Sequence, residues 1–405
     1  MQIIYIPDLQ NRKLKIAVYS GEIPSTTFIE NLIEVLTDSG FEIYLFGKRT
    51  KKTNYRSSVK VFPTPSARTA LLFFTIKESI KLFLKSAGLF LKCWKAILQN
   101  KKGFYMIFKS AGFILPVLNN SPDIFHIQWA KTVEKHPELF ELLDSKIALS
   151  LRGAHINYSP LSDSKLADAY RKYFPVIDGF HAVSEAIAGE SLKYGAAKER
   201  IRVIHSSIKS DLLSRNAAFY NKEKAVEIIS IGRHHWKKGY DYALDAMKIL
   251  KDKKIKFRYT IVAQGNIPEE ILFLMNEYEF GKEVDIMNGM PHKELIEFIL
   301  KKNLFLLPSL EEGIANVVLE AMAVGIPVIT TDCGGMSEII KDSENGFIVP
   351  VRKPELIADK IIHFINTGNH EKEKVIRNAK HTIEAEFSRE KQSSDFRKFY
   401  YSLVS

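Results

Sequence analysis

"LFLLPSLEEGIANVVLEAMAVGIPVITT" (304–331) is the stretch whose reading decides the fold. "LFLLPS" (304–309) reads as a short buried strand, the apolar run after "EEG" as a helix, "GIP" as a turn and "PVITT" (327–331) as a second strand. Strand, helix, strand joined this tightly is one right-handed parallel crossover. The crossover carries an acid near each end of its helical run. Glu312 falls in the loop before the helix, and Glu320 lies about 6 Å of rise into it at about 1.5 Å per residue.

The same alternation extends outward from that unit. Upstream run "IISIGR" (228–233), "YDYALDAMKILKDK" (240–253), "FRYTIVAQG" (257–265) and "ELIEFILKKN" (294–303), strand and helix in turn. An earlier series holds "LKIAVYS" (14–20), "FIENLIEVLTDSG" (28–40), "EIYLFG" (42–47), "DIFHIQWA" (123–130), "IALSLRG" (147–153), "FHAVS" (180–184) and "IRVIHSS" (201–207). Two consecutive series imply two doubly wound α/β domains, and 405 residues are too many for one core. The expected division is 1–210 and 211–385, with 386–405 as a terminal helix returning to the first domain. The polar stretch around 209–225 is the junction.

Composition excludes several classes. At 46% hydrophobic and 26% charged, the chain has the balance of an ordinary globular protein. Cys93 and Cys333 stand far apart, which suits a reduced cytoplasmic compartment and no disulfide framework. "MQIIYIPDLQNRK" (1–13) has neither the basic region nor the cleavage site of a signal peptide. No G-x-G-x-x-G fingerprint occurs, which argues against a nicotinamide dehydrogenase. No nucleic-acid partner is expected.

Open parallel sheets bind ligands beyond the carboxyl ends of their strands, near helix N-termini. Two segments of the second half meet that condition. "GRHHWKKG" (232–239) supplies Arg233, Lys237 and Lys238 after one strand, and "SLEEGIAN" (309–316) exposes backbone N–H groups at the start of a helix. Cations with a helix N-terminus form a cradle for a diphosphate. Carboxylates would repel that phosphate, so Glu312 and Glu320 need hydroxyl partners, and vicinal sugar hydroxyls suit an acceptor-only group. A ligand with sugars on both sides of a diphosphate is a nucleotide sugar. His234 and His235 are adjacent, so their side chains diverge, which favours a loop role over metal ligation. His126 reads equally as a satisfied strand histidine or as a residue lining the interdomain cleft.

The motif residues resemble the E-x7-E signature of retaining glycosyltransferases with the GT-B fold, two Rossmann-like domains facing each other across a cleft. "EGIANVVLEAMAVGIPVITTDCGGMSEII" and "NGFIVPVRKP" are similar to bacterial enzymes that build exopolysaccharide, colanic-acid-type and lipopolysaccharide chains. The resemblance implies that Glu312 contacts the donor sugar and Glu320 the ribose. It implies further that Arg233 and Lys238 neutralise the leaving diphosphate, and that Gly313, Ile314, Ala315, Asn316 and Val317 line sugar and phosphate. Gly21 would lie in the facing loop of the first domain. Many relatives carry a histidine in an H-G-x-D-like segment where this chain reads Arg152-Gly153-Ala154-His155. His126, Arg152 and His155 are therefore the candidates on the acceptor side. The implied reaction moves a sugar to a hydroxyl of a glycan or polyprenyl-linked acceptor with retention. A leaving-phosphate oxygen takes the proton, and neither metal nor cofactor is required. The chain also lacks the Asp-x-Asp with which other glycosyltransferases hold a cation. A sugar-nucleotide epimerase or a non-catalytic scaffold on the same fold is the alternative.

Residues 71–118 interrupt the alternation and carry eight lysines against one acid, Glu78. Apolar residues recur three or four apart through 72–91, so amphipathic helices are expected. Either the apolar face packs on the first sheet with the lysines solvated, or it meets an anionic membrane surface. The second alternative puts the enzyme on the cytoplasmic face of the inner membrane as a peripheral protein. No apolar run is long enough to span a bilayer.

Overall fold

In a computed structural model the chain is described over residues 13–218, 220–221 and 223–405, so most of the stretch examined for a signal peptide lies outside the described residues. It divides into two compact units, Met1–Ser206 with Gln392–Ser405, and Ser207–Lys391. Each unit has its own parallel sheet.

The first sheet contains β1 (Lys15–Ile23), β2 (Glu42–Arg49), β3 (Val59–Thr64), β4 (Ile124–Ile127), β5 (Lys146–Leu151), β6 (Gly179–Ala182) and β7 (Ile201–Val203). Their order is β3-β2-β1-β4-β5-β6-β7, every neighbouring pair parallel. The second contains β8 (Val226–Arg233), β9 (Phe257–Gln264), β10 (Val284–Asn288), β11 (Leu304–Leu307), β12 (Val328–Thr331) and β13 (Phe347–Val349), in the order β10-β9-β8-β11-β12-β13. Strands such as "LFLL" and "VITT" are buried along their whole length, because helices cover both faces of a parallel sheet. In each sheet the order reverses next to its first strand, between β1 and β4 and between β8 and β11. Those two reversals are the places where such folds open a crevice.

Three strands escaped the alternation read from sequence. β3, β10 and β13 are edge strands of three to six residues, and their mixed composition carries little periodicity. The terminal helix Arg389–Val404 places Phe396, Phe399 and Tyr400 in the core formed by Ile16, Val18, Phe41 and Ile43 of the first unit.

The basic segment forms α2 (Arg68–Lys85), α3 (Ala87–Asn100) and α4 (Phe104–Asn120) between β3 and β4, with α1 (Thr27–Asp38) earlier in the same unit. α4 is a core helix, buried from Ser110 to Asn119. α2 and α3 bury only one narrow side each. Ten of the eighteen large apolar side chains that are exposed among the described residues lie between Phe73 and Met106, with Leu84 at 79% exposure. Packing and exposure therefore divide the segment between them. Two of its lysines are tied to partners: Lys85 Nζ donates to the carbonyls of Leu118 and Asn119 at the end of α4, and Lys101 pairs with buried Glu138 at 3.4 Å. No helix is long and apolar enough to cross a membrane among the described residues.

Candidate functional site

In the second unit two loops leave the sheet on either side of its reversal. β8 ends at Arg233, and a single 3-10 turn over Trp236–Lys238 leads into helix Tyr240–Asp252. β11 ends at Leu307, and Ser309–Ala315 leads into helix Asn316–Ala323. The loops are fastened together by Leu310 N–H donating to Lys237 O at 2.6 Å. Gly239 sits in the left-handed region, and a Cβ there would stand 2.1 Å from the Pro308 carbonyl oxygen. Gly334 plays the same part after β12, where a Cβ would fall 1.7 Å from the Glu312 carbonyl oxygen. Only glycine fits either position, so the "CGG" turn packs directly beneath Glu312.

Glu312 is buried and accepts from Lys238 Nζ at 2.5 Å and from Ser309 Oγ at 3.2 Å. Lys237 Nζ lies 3.7 Å from its other oxygen. Burial pushes the Glu312 carboxyl up, but the two lysine charges and the hydrogen bonds outweigh it and hold the group below the usual carboxylate range. Both lysines are buried as well, so the cluster is a compact ion group with an excess of positive charge. Arg233 stands exposed at the end of β8. The helix Asn316–Ala323 starts at Ala315 with no side-chain cap, leaving its first N–H groups to point out of the loop of Gly313 and Ile314. Val317 is half-buried on its first turn.

Glu320 lies one turn further along and accepts from His292 Nε2 at 2.8 Å. That hydrogen bond raises the His292 pKa above its ordinary value, against partial burial. His292 was not visible from sequence: it is 28 positions from Glu320, on the separate helix His292–Ile299. His235 accepts from Lys237 N–H at 3.3 Å, a turn-capping role, and His234 N–H bonds to Gln264 O.

In the first unit Gly21 lies near the end of β1 at φ +86°, where the register with β2 shifts. Arg152 and His155 follow β5. His126 corrects the expectation for a cleft residue. It is 0% exposed in β4, its Nδ1 hydrogen-bonded to Tyr400 Oη at 2.7 Å and its Nε2 to Ser150 Oγ at 2.9 Å. Burial and the Arg152 charge pull its pKa down to about 3, so it is a neutral, satisfied core histidine with no edge left for a ligand. His155 stays at the surface of the loop, partly covered by the Trp129 ring at 5.1 Å.

Residues 215–382, most of the second unit, match the family described as glycosyl transferases group 1. The chain is 25% identical to the putative colanic acid biosynthesis glycosyltransferase WcaL of Escherichia coli (strain K12), over 90% of this chain and 94% of that one. It is 26% identical to the amylovoran biosynthesis glycosyltransferase AmsK of Erwinia amylovora, over 69% and 72%. Among solved structures, sucrose-phosphate synthase from Thermosynechococcus elongatus superposes with a TM-score of 0.74 at 15% identity, covering 97% of this chain and 99% of that one. Anabaena Alr3699/HepE, solved in complex with UDP-glucose, superposes with a TM-score of 0.70 at 13% identity, covering 96% and 100%.

Proposed function

We propose, from the premise that this chain is a group 1 glycosyltransferase of the GT-B fold, that it moves a hexose from a nucleotide sugar to a hydroxyl of a glycan or lipid-linked glycan in bacterial surface-polysaccharide synthesis. One observation carries the site assignment. The buried Lys238–Glu312–Lys237 group and an uncapped helix N-terminus stand together at the β8/β11 reversal. The diphosphate of the donor binds against Lys238, Arg233 and the N–H groups before Val317. Glu312 is already engaged by Lys238, so it first fixes the lysine ammonium and then shares its remaining lone pairs with donor-sugar hydroxyls. Glu320 and His292 take the ribose. Breaking the anomeric C–O bond puts charge on the leaving diphosphate, and preorganised cations stabilise that charge as it develops. A phosphate oxygen accepts the proton of the incoming hydroxyl, and the new bond forms on the face the diphosphate left. The nearby cations do the work that a bound divalent ion does elsewhere.

Similarity to enzymes named for colanic acid and amylovoran supports the polysaccharide setting, and the UDP-glucose complex of a fold neighbour supports a nucleotide-sugar donor. A nucleotide-release assay over UDP-, GDP- and ADP-sugars tests the reading. One donor should be cleaved in excess EDTA, and that donor at a hundred times its Kd should stabilise the protein by about 2.7 kcal/mol. Activity lost to EDTA and restored by magnesium or manganese would overturn the metal-independent route.

The exposed apolar face of α2 and α3 favours peripheral attachment to an anionic membrane. Lys77, Lys81, Lys92, Lys95, Lys102 and Lys109 are exposed alongside it, and an apolar groove of about 320 Å³ opens between Ile76, Ile80, Phe83, Phe90, Trp94 and Phe108. Each lysine near an anionic surface contributes about 1 kcal/mol. The protein should co-sediment with vesicles containing anionic lipid at low salt. The variant Lys81→Gln/Lys92→Gln/Lys95→Gln/Lys102→Gln, which spares Lys85 and Lys101, should stay in the supernatant. Equal binding by both proteins would refute the attachment.

A further inference from the structure

The carboxyl end of the first sheet holds a cation that no acid among the described residues neutralises. Arg152 is the residue after β5. Its Nη2 donates to Gln128 Oε1 at 3.2 Å, its guanidinium lies 4.7 Å from the centre of the Phe28 ring, and its Nε is buried without a hydrogen-bond partner. No carboxylate among the described residues makes an ion pair with it. Burial draws its pKa down to about 10, as befits a cation without a counter-ion.

The surroundings deepen the imbalance. A polar chain runs beneath Arg152 from Gln128 through Ser150 to His126, His181 and Tyr400. It contains no acid. Both histidines are held neutral by burial and by the Arg152 charge. His155, in the same loop, is held to about 4 by burial and by the charges of Lys131 and Lys135. Gln128 Nε2 and His155 Nδ1 are, like Arg152 Nε, buried without a partner. A buried polar atom left unpaired is destabilising, so three beyond the neighbouring ends of β4 and β5 call for a ligand that satisfies them.

The chemistry of that ligand can be read from the donors. A guanidinium with an unused Nε–H matches the two oxygens of a carboxylate or phosphate, and Gln128 Nε2 and a neutral His155 add N–H groups beside it. Trp129, whose ring lies 5.1 Å from His155 and 5.8 Å from Phe28, offers an apolar face suited to a sugar ring. We propose that Arg152, Gln128 and His155 form an oxyanion subsite that recognises an acidic group on the acceptor, either a hexuronic-acid carboxylate or the phosphate of a lipid-linked glycan. The term acceptor rests on the transferase reading above, whereas the oxyanion chemistry does not.

The full chain is titrated by calorimetry with methyl glucuronide, glycerol phosphate and methyl glucoside. At least one anionic probe should bind, and which one identifies the source of the oxyanion. Its Kd should rise about tenfold or more in Arg152→Gln, the loss expected of a charge-assisted bond, and by less in Arg152→Lys. Arg152→Met, which keeps the packing against Phe28, should bind as poorly as Arg152→Gln while melting like the wild type. The proposal is overturned if neither anion binds, if the glucoside binds as tightly as the anions, or if the glutamine variant binds them like the wild type. The two readings fail separately. A protein that cleaves no nucleotide sugar yet binds the anion through Arg152 refutes the transferase, and one that cleaves the donor but ignores both anions refutes the subsite.

Discussion

The two sheets end in loops of opposite electrostatic character. After β8 and β11, the buried cations Lys237 and Lys238 have a carboxylate between them, which offsets one of the two charges before any ligand arrives. After β4 and β5, Arg152 has an amide and an aromatic ring but, among the described residues, no acid. A cluster braced by a carboxylate can be rigid and preorganised while keeping a net positive charge, which is what stabilising a developing negative charge requires. An uncompensated cation stores unfavourable desolvation that an anionic ligand relieves, which is what recognition requires.

The largest expected break in this comparison is catalytic. Lys238→Ala, Glu312→Ala and Arg233→Ala should each lower turnover on the order of 10²-fold or more. Glu320→Ala should act on donor affinity instead, by about tenfold, because the proposed binding mode sets it against the ribose and not the reacting carbon. Steady-state kinetics with the donor found in the nucleotide-release assay separate the two outcomes. Near-normal turnover in both the Lys238 and Glu312 variants would dissolve the site.

Acid should distinguish the units next. His126 and His181 have folded pKa values far below the ordinary 6.5, so below that pH the unfolded chain binds protons that the folded first unit refuses. Stability of the first unit should fall from about pH 6.5 downward, by up to about 1.4 kcal/mol per pH unit for each histidine. The depressed Glu312 carboxyl in the second unit behaves as acids do: its contribution is complete above about 4.5 and is lost only as pH falls through the folded value. His292, whose pKa is raised, contributes below 6.5 and loses that contribution as pH rises. Between pH 6.5 and 4.5 the first unit should weaken more than the second, where the lowered histidines, His234 and His235, are only partly buried and the raised His292 opposes them. Hydrogen exchange read by mass spectrometry at pH 7.5 and 5.0 should show protection falling in 13–206 before 207–391, and simultaneous loss would contradict the assignment.

The smallest effect sharpens the contrast most. Arg152→Met removes a charge that has no counter-ion among the described residues and should shift the melting temperature by less than about 2 °C. Lys238→Met leaves buried Glu312 with the Ser309 hydroxyl and the more distant Lys237 charge and should lower melting by several times as much. Equal losses in a thermal-denaturation series would mean that Arg152 is structurally compensated after all.

Much of this was legible in the sequence because it is local. A buried parallel strand is a short apolar run, so "IISIGR" and "LFLLPS" announced β8 and β11, and the glycines after them marked where the backbone must turn. Arg233, Lys238, Glu312 and the start of the helix at Asn316 then fell at strand ends by position alone. The edge strands β3, β10 and β13 were not legible, since an edge strand need not be apolar throughout.

Partnership was the part that only tertiary structure decided. Spacing suggested that Glu312 and Lys238 serve different portions of one ligand, yet the fold joins them at 2.5 Å across 74 residues of chain. It likewise gives Glu320 a histidine from another helix, and buries His126 against a tyrosine 274 positions away. Composition counted eight lysines on the basic segment, but the fold ties Lys85 to carbonyls and Lys101 to a carboxylate, and leaves the other six exposed. Periodicity along a chain fixes which face of a helix or strand is apolar. Which charge meets which depends on strand order, and strand order is set by how two whole sheets bury their helices.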